Sequence, residues 1–164
     1  MSRQPPIELF MPPNMLKAKV GGGLGGVDMA AVKRAEQAMD GLKSEFSDWI
    51  ADDVKMLLAA RARYGRGADE ETRAGLLRAA HDMKGQAATF DYPLIARVAA
   101  SLSRMMGELQ ADVPLPLSLI DAHVSAIQVI HKQGLKDGQD PTAQALCAEL
   151  DARVGEILAR FGQS

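Results

Sequence analysis

Between Val27 and Tyr64 no proline interrupts the chain, and Leu42, Phe46, Trp49, Ile50, Val54, Leu57 and Leu58 return at spacings of three and four. That period places all seven on one face of an amphipathic α-helix. A helix over the whole segment would run about 55 Å at 1.5 Å per residue, well past the roughly 30 Å of an ordinary bundle helix, so a break is expected. Gly41, after Asp40, is the predicted break, with one helix over 27–40 and the next over 42–64.

Glycine and proline divide the rest of the chain in the same way. Gly65 and Gly67 end the second helix, and Asp69 caps the next, with Glu70 and Glu71 near its positive end. That helix is predicted over 69–91. Tyr92-Pro93 then turns the chain, because the residue before a proline is pushed out of the helical region while the proline itself suits a first helical position. A helix over 93–110 follows, and Pro114 and Pro116 punctuate again. LSLIDAHVSAIQVIHKQG reads as a helix ending at Gly134, with Leu119, Ile120, Val124, Ile127 and Ile130 inward. Asp140-Pro141 opens a last helix over 141–162, whose stripe is Leu146, Leu150, Val154, Ile157 and Phe161.

Aromatic residues make up 4% of the chain, and alanine, leucine and methionine carry most of the apolar volume, which favours helices over sheets. The fold class is therefore all-α. Short connections force neighbouring helices to run antiparallel, so residues 42–134 are expected to form an up-down four-helix bundle, with the N- and C-terminal helices as accessories inside a helical domain over 27–164. Residues 1–26, with Pro5, Pro6, Pro12, Pro13 and the run GGGLGG, read as a flexible tail; IELFMPPNMLKAKV within it is more apolar than a plain spacer, and the reading of a disordered end with no specific role is preferred to that of a docking segment that orders on a partner.

The net charge of -2 provides no basic face for nucleic acid or an acidic membrane surface. No apolar run approaches the roughly 20 residues of a membrane span. Cys147, the one cysteine, has no partner for an internal disulfide, and no charged-then-apolar leader opens the chain, so a reducing cytoplasm is expected. Cys147, beside Leu146 and Leu150, is read as packing, and most of the nine methionines as core filler, with Met105-Met106 open to either face.

The helix over 69–91 carries the chemistry. With His81 set at zero on a wheel of about 100° per residue, Leu76, Ala79, Ala80, Met83, Ala87 and Phe90 fall between roughly 160° and 260°. The core stripe thus lies opposite the imidazole, which points outward beside Ala74, Arg78, Lys84, Gly85 and Ala88. A neutral imidazole nitrogen is a good nucleophile near neutral pH and forms covalent intermediates, so it can carry a phosphoryl group. Lys84 and Arg78, one turn to either side, can neutralise charge on that group. Gly85 and Ala88 keep the surface low, as transfer between two proteins requires when donor and acceptor must come into line with water excluded.

The string His81-Asp82-Met83-Lys84-Gly85-Gln86-Ala87-Ala88 resembles the His-x-x-Lys-Gly signature of histidine-containing phosphotransfer (HPt) domains. These helical bundles shuttle phosphoryl groups between aspartates of response-regulator receiver domains, or accept them from a hybrid sensor histidine kinase. The resemblance, over about 42–134, implies that His81 is phosphorylated, Lys84 supports the phosphoryl charge and Gly85 is the open docking position. Arg78, Ala74 and Ala88 complete the docking face. The chain departs from the pattern at the helix end, where the family often has a small residue and a glycine and this chain has Asp91-Tyr92-Pro93.

Other chemistry is weakly signalled. His123 and His131 are eight apart, too wide for a metal pair on one helix, and His131 is expected to be partly buried near a helix end. GGGLGG lacks a Lys-Ser/Thr ending and follows no strand, so no nucleotide site is expected. The expectation is a phosphoryl carrier and not an enzyme, with no cofactor of its own and with magnesium on the partner receiver. Two other function classes fit the same helices: a non-phosphorylated module that holds or inhibits a kinase or receiver, and a structural protein that oligomerises through residues 27–40 and the tail.

Overall fold

The computed structural model describes residues 28–135 and 138–163. The described residues are all-helical, in five helices: α1 (Met29–Arg66), α2 (Glu70–Thr89), α3 (Pro93–Glu108), α4 (Leu117–Lys132) and α5 (Pro141–Phe161). The expected 1–26 tail lies outside them.

The break predicted at Gly41 does not occur, and α1 is continuous through it. A glycine costs a helix interior about 1 kcal/mol against alanine, yet it keeps its N–H and its carbonyl. No proline stands nearby to remove a donor, and Gly41 is not in the left-handed conformation that ends helices. The chain divides into two compact units, Met1–Ser44 and Glu45–Ser164. The described part of the first is the opening of α1, almost wholly exposed, with Leu42 on its surface and not inward as its spacing predicts.

In the second unit the remaining helix boundaries fall within a few residues of their predicted places. Asp69 caps α2 as expected: its carboxylate accepts from the Thr72 amide at 2.7 Å, and the Asp69 amide donates to the Thr72 hydroxyl at 3.0 Å. Hydrogen bonds from the Thr72 amide and then from its side chain hold the Asp69 carboxyl below the ordinary range. Pro93 stands at the start of α3, again as predicted. The end of α2 explains the departure from the glycine pattern. Asp91 adopts a positive φ of 63°, its amide donates to the Ala88 carbonyl at 3.3 Å, and the Tyr92 amide donates to the Ala87 carbonyl at 2.7 Å. This is the paired closure usually built on glycine, here made by an aspartate, one of the residues that tolerates the left-handed region.

Helix α3 lies at the centre of the packing, against α2, α4 and α5. It buries Leu94, Ile95, Val98, Leu102, Met105 and Met106 among others, which settles both methionines inward. Helix α5 is more than an accessory, since Ala143, Cys147, Leu150 and Val154 enter the same core. Its predicted stripe is rotated: Leu146 and Phe161 are exposed, and the small residues Ala143 and Cys147 take the inward positions, letting the backbone approach α3. Burial pushes the Cys147 thiol up, as packing implies. A short antiparallel bridge between Leu109 and Gly162 ties the end of α5 to the end of α3.

In the second unit α1 presents Ile50, Val54, Leu57, Ala60 and Tyr64 to the core, while Trp49 and Leu58, predicted inward, are exposed. The true buried face is rotated toward alanine and tyrosine. Two polar links fasten α1 to α4: Arg61 is bidentate to Asp121, at 2.6 and 3.0 Å, and His131 donates to the Ser47 carbonyl at 3.0 Å. The half-buried Phe90, at the end of α2, stacks on Phe46 at 4.7 Å.

Candidate functional site

Helix α2 buries Leu76, Ala80, Met83 and Ala87 and leaves His81 exposed on its opposite side, as the wheel requires. Ala79 and Phe90 are half-buried at the edges of the stripe. Ala74, Arg78, Gly85 and Ala88 are exposed as well, and Lys84 is half-buried. The structure therefore gathers all six predicted residues on one surface. Among the described residues, no hydrogen bond engages the His81 ring and no ion pair engages Arg78 or Lys84. Gly85 is not demanded by packing, because a Cβ there would meet nothing within 4 Å.

Beside His81 an open groove of about 510 Å³ runs between α2 and α3, lined by Arg78, His81 and Lys84 on one side and Ala100, Ser103 and Arg104 on the other. Ala74 lines its end. The α3 residues are absent from the sequence reading because the His-x-x-Lys-Gly string lies wholly on α2. A signal did exist, since positions 100, 103 and 104 share one helix face and contrast with the buried face of 98, 99, 102 and 105. Arg104 is paired with Glu108 one turn along, Nε to Oε2 at 3.5 Å, with both side chains more than half exposed. The Ser103 hydroxyl is buried without a hydrogen-bond partner.

Asp53, on α1, stands near enough to Asp82, the residue after His81, for their charges to interact. Burial and then the Asp82 and Asp52 charges raise the Asp53 carboxyl above its ordinary range, and one of its oxygens is buried without a partner.

The other two histidines are occupied. His123 is fully buried. A carbonyl can only accept, so its Nδ1–H donates to the Leu119 carbonyl at 2.8 Å and its Nε2 accepts from the Ser101 hydroxyl at 3.3 Å. Burial holds its pKa below the ordinary histidine value. His131 is half-buried and bound to Ser47, as its predicted position near a helix end implies. A larger groove, of about 900 Å³, runs between α4 and α5, but its walls are mainly apolar and hold no histidine or cysteine.

A family model described as the Hpt domain matches residues 41–160, most of the chain. No curated protein matches it. No solved structure does either.

Proposed function

Because this chain belongs to the Hpt domain family, whose members act in phosphotransfer in two-component signalling, we propose that His81 is its phosphoryl acceptor and donor. The proposed exchange is between a hybrid sensor histidine kinase and response-regulator receiver domains, in the cytoplasm. The observation that carries this reading is the exposed, unpartnered imidazole on a face kept low by Gly85, Ala74 and Ala88 and flanked by Arg78 and Lys84.

The chemistry follows from that face. A receiver domain docks over α2 with its aspartyl phosphate in line with an unprotonated ring nitrogen of His81. The nitrogen lone pair forms the N–P bond as the P–O bond to the aspartate breaks, and the carboxylate leaves with the bonding pair. The other ring nitrogen keeps its proton, so the phosphorylated ring is cationic and ready to return the group. Lys84 offsets charge on the phosphoryl oxygens throughout. Its half-buried stem limits its freedom, which favours a fixed position over a merely solvated one. Magnesium and the acidic pocket belong to the receiver, and this chain contributes a carrier without an ATP site.

The test is incubation with a panel of phosphorylated receiver domains from the same genome. The proposal requires label on the protein that is acid-labile and base-stable, as a phosphoramidate is, and absent from His81→Gln. Label retained in that variant overturns it. Receiver binding without label, unchanged in His81→Ala, would instead assign the face to holding a partner.

A further inference from the structure

The groove beside His81 holds three cations, and they are not equivalent. Arg78 and Lys84 lie on the histidine's own helix and form no ion pair among the described residues. Arg104 reaches the groove from α3 and is held by Glu108. The two helices pack against each other, and Ala80, Met83 and Ala87 on one and Ile95, Val98, Ala99 and Leu102 on the other are buried in the same core. The base of Arg104 is therefore fixed relative to His81, with the small Ala100 leaving the space between them open.

We propose that Arg104 is a positioning cation for the phosphoryl group on His81, and that Glu108 competes with that group for it. This rests on the reading that His81 carries the phosphoryl group.

The competition follows from comparing the two states. Without phosphate, Glu108 is the ion-pair partner of Arg104 among the described residues, at 3.5 Å and with both side chains exposed, which is the weak class of surface ion pair. A phosphoryl group on His81 places up to two negative charges and three acceptor oxygens at the groove. A guanidinium matches phosphate geometry with two parallel N–H donors, a stronger arrangement than a single long contact to a carboxylate. The long arginine side chain can exchange one partner for the other without moving the backbone. The Glu108 backbone is engaged separately, its carbonyl accepting from the Gln163 amide at 2.7 Å, so a change confined to its side chain leaves that tie intact.

The two residues therefore act on the phosphoryl group with opposite signs. A nearby cation favours the more negative phosphoryl form and lowers the pH at which it titrates, and a nearby carboxylate raises it. Both residues lie on the surface, so neither substitution threatens the core.

The experiment labels the full-length protein with phosphoramidate, which needs no partner. The unprotonated ring nitrogen forms its N–P bond as that of the reagent, whose nitrogen is already protonated, breaks and ammonia leaves with the bonding pair; the other ring nitrogen keeps its proton. The phosphorus signal is then titrated by NMR at low salt, where exposed charges are least screened. In Arg104→Ala the midpoint is expected to rise by a few tenths of a pH unit, in Arg104→Lys to return part of the way, and in Glu108→Gln to fall below that of the unaltered protein. Identical midpoints in all four proteins overturn the proposal while leaving His81 as the phosphoryl site. A shift in Arg104→Ala with none in Glu108→Gln supports the cation and overturns the competition. Failure of the unaltered protein to label at His81 removes both this inference and the reading beneath it.

Discussion

His81 and His123 are the same side chain in opposite settings. His81 stands on the outer face of α2 with an unengaged ring, while His123 is sealed between α4 and α3 with both nitrogens in hydrogen bonds. Each helix presents an apolar stripe to the core, and the difference is only in which side of the stripe the histidine falls. A nucleophile needs a free lone pair and an open approach, and a packing histidine gives up both. What leaves one ring open and the other occupied is thus rotational phase on a helix and not residue type.

The largest test breaks the symmetry of the pair. His81→Gln should lose all phosphoryl label and keep its unfolding midpoint, whereas His123→Ala should keep its label and lose stability by about 2–3 kcal/mol, the range for emptying a packed interior site. Receiver-dependent labelling and urea unfolding measure the two effects. Label on His81→Gln, or an unchanged midpoint for His123→Ala, would erase the distinction.

The second test concerns what surrounds the reactive member. Lys84→Ala should slow transfer by about 1–3 kcal/mol of barrier, roughly 5- to 150-fold, with little change in stability, because it removes one cation beside a transferring phosphoryl group. Single-turnover transfer from a phosphorylated receiver measures it. An unchanged rate would show that Lys84 serves only to solvate the face.

How much of this contrast was legible in the sequence depends on the element. The outward position of His81 was readable because the buried residues of α2, Leu76, Ala80, Met83 and Ala87, all fall on the side opposite it, between a capping aspartate and a proline. The ends of α2 and α3 follow from local chemistry, which a sequence displays directly. The phase of α5 was not readable, since Leu146 competes with Cys147 for the inward place and tertiary packing chose the smaller residue. Gly41 misled for a related reason: a single weak propensity does not end a helix whose neighbours on both sides continue it. The outer face of α3 that carries Arg104 was readable, but its place beside His81 was not, because the groove exists only when two helices are laid side by side and a motif on one helix says nothing about its neighbour.

A third test uses acidity to sharpen the comparison from the buried side. The folded protein holds the His123 pKa below its unfolded value, because burial disfavours the charged ring. The unfolded chain therefore binds the proton more readily, and the stability that neutral His123 contributes is complete above the ordinary histidine value and is lost as pH falls from there toward the depressed one. Unfolding midpoints measured stepwise downward from pH 7.5 should decline through that window, with a shallower decline in His123→Gln. An equal decline in His123→Gln would show that this ring is not the source of the slope.

The smallest effect, at Gly85, separates stability from function on the reactive face. A Cβ at this position meets open space, and the helix around it is regular, so Gly85→Ala removes the entropic cost of a mid-helix glycine without a clash and should stabilise the protein by roughly 0.5–1 kcal/mol. Gly85→Gln should fold too, because its side chain meets solvent. It would nevertheless stand where a receiver must pass to reach His81, so its transfer should slow and its docking weaken while its unfolding midpoint stays at or above that of the unaltered protein. A glycine kept for packing would behave otherwise, with both substitutions lowering the midpoint together. Unfolding curves and transfer rates on the same two variants decide between them: opposite movement of stability and transfer assigns the glycine to the approach of a partner, and parallel loss assigns it to the fold.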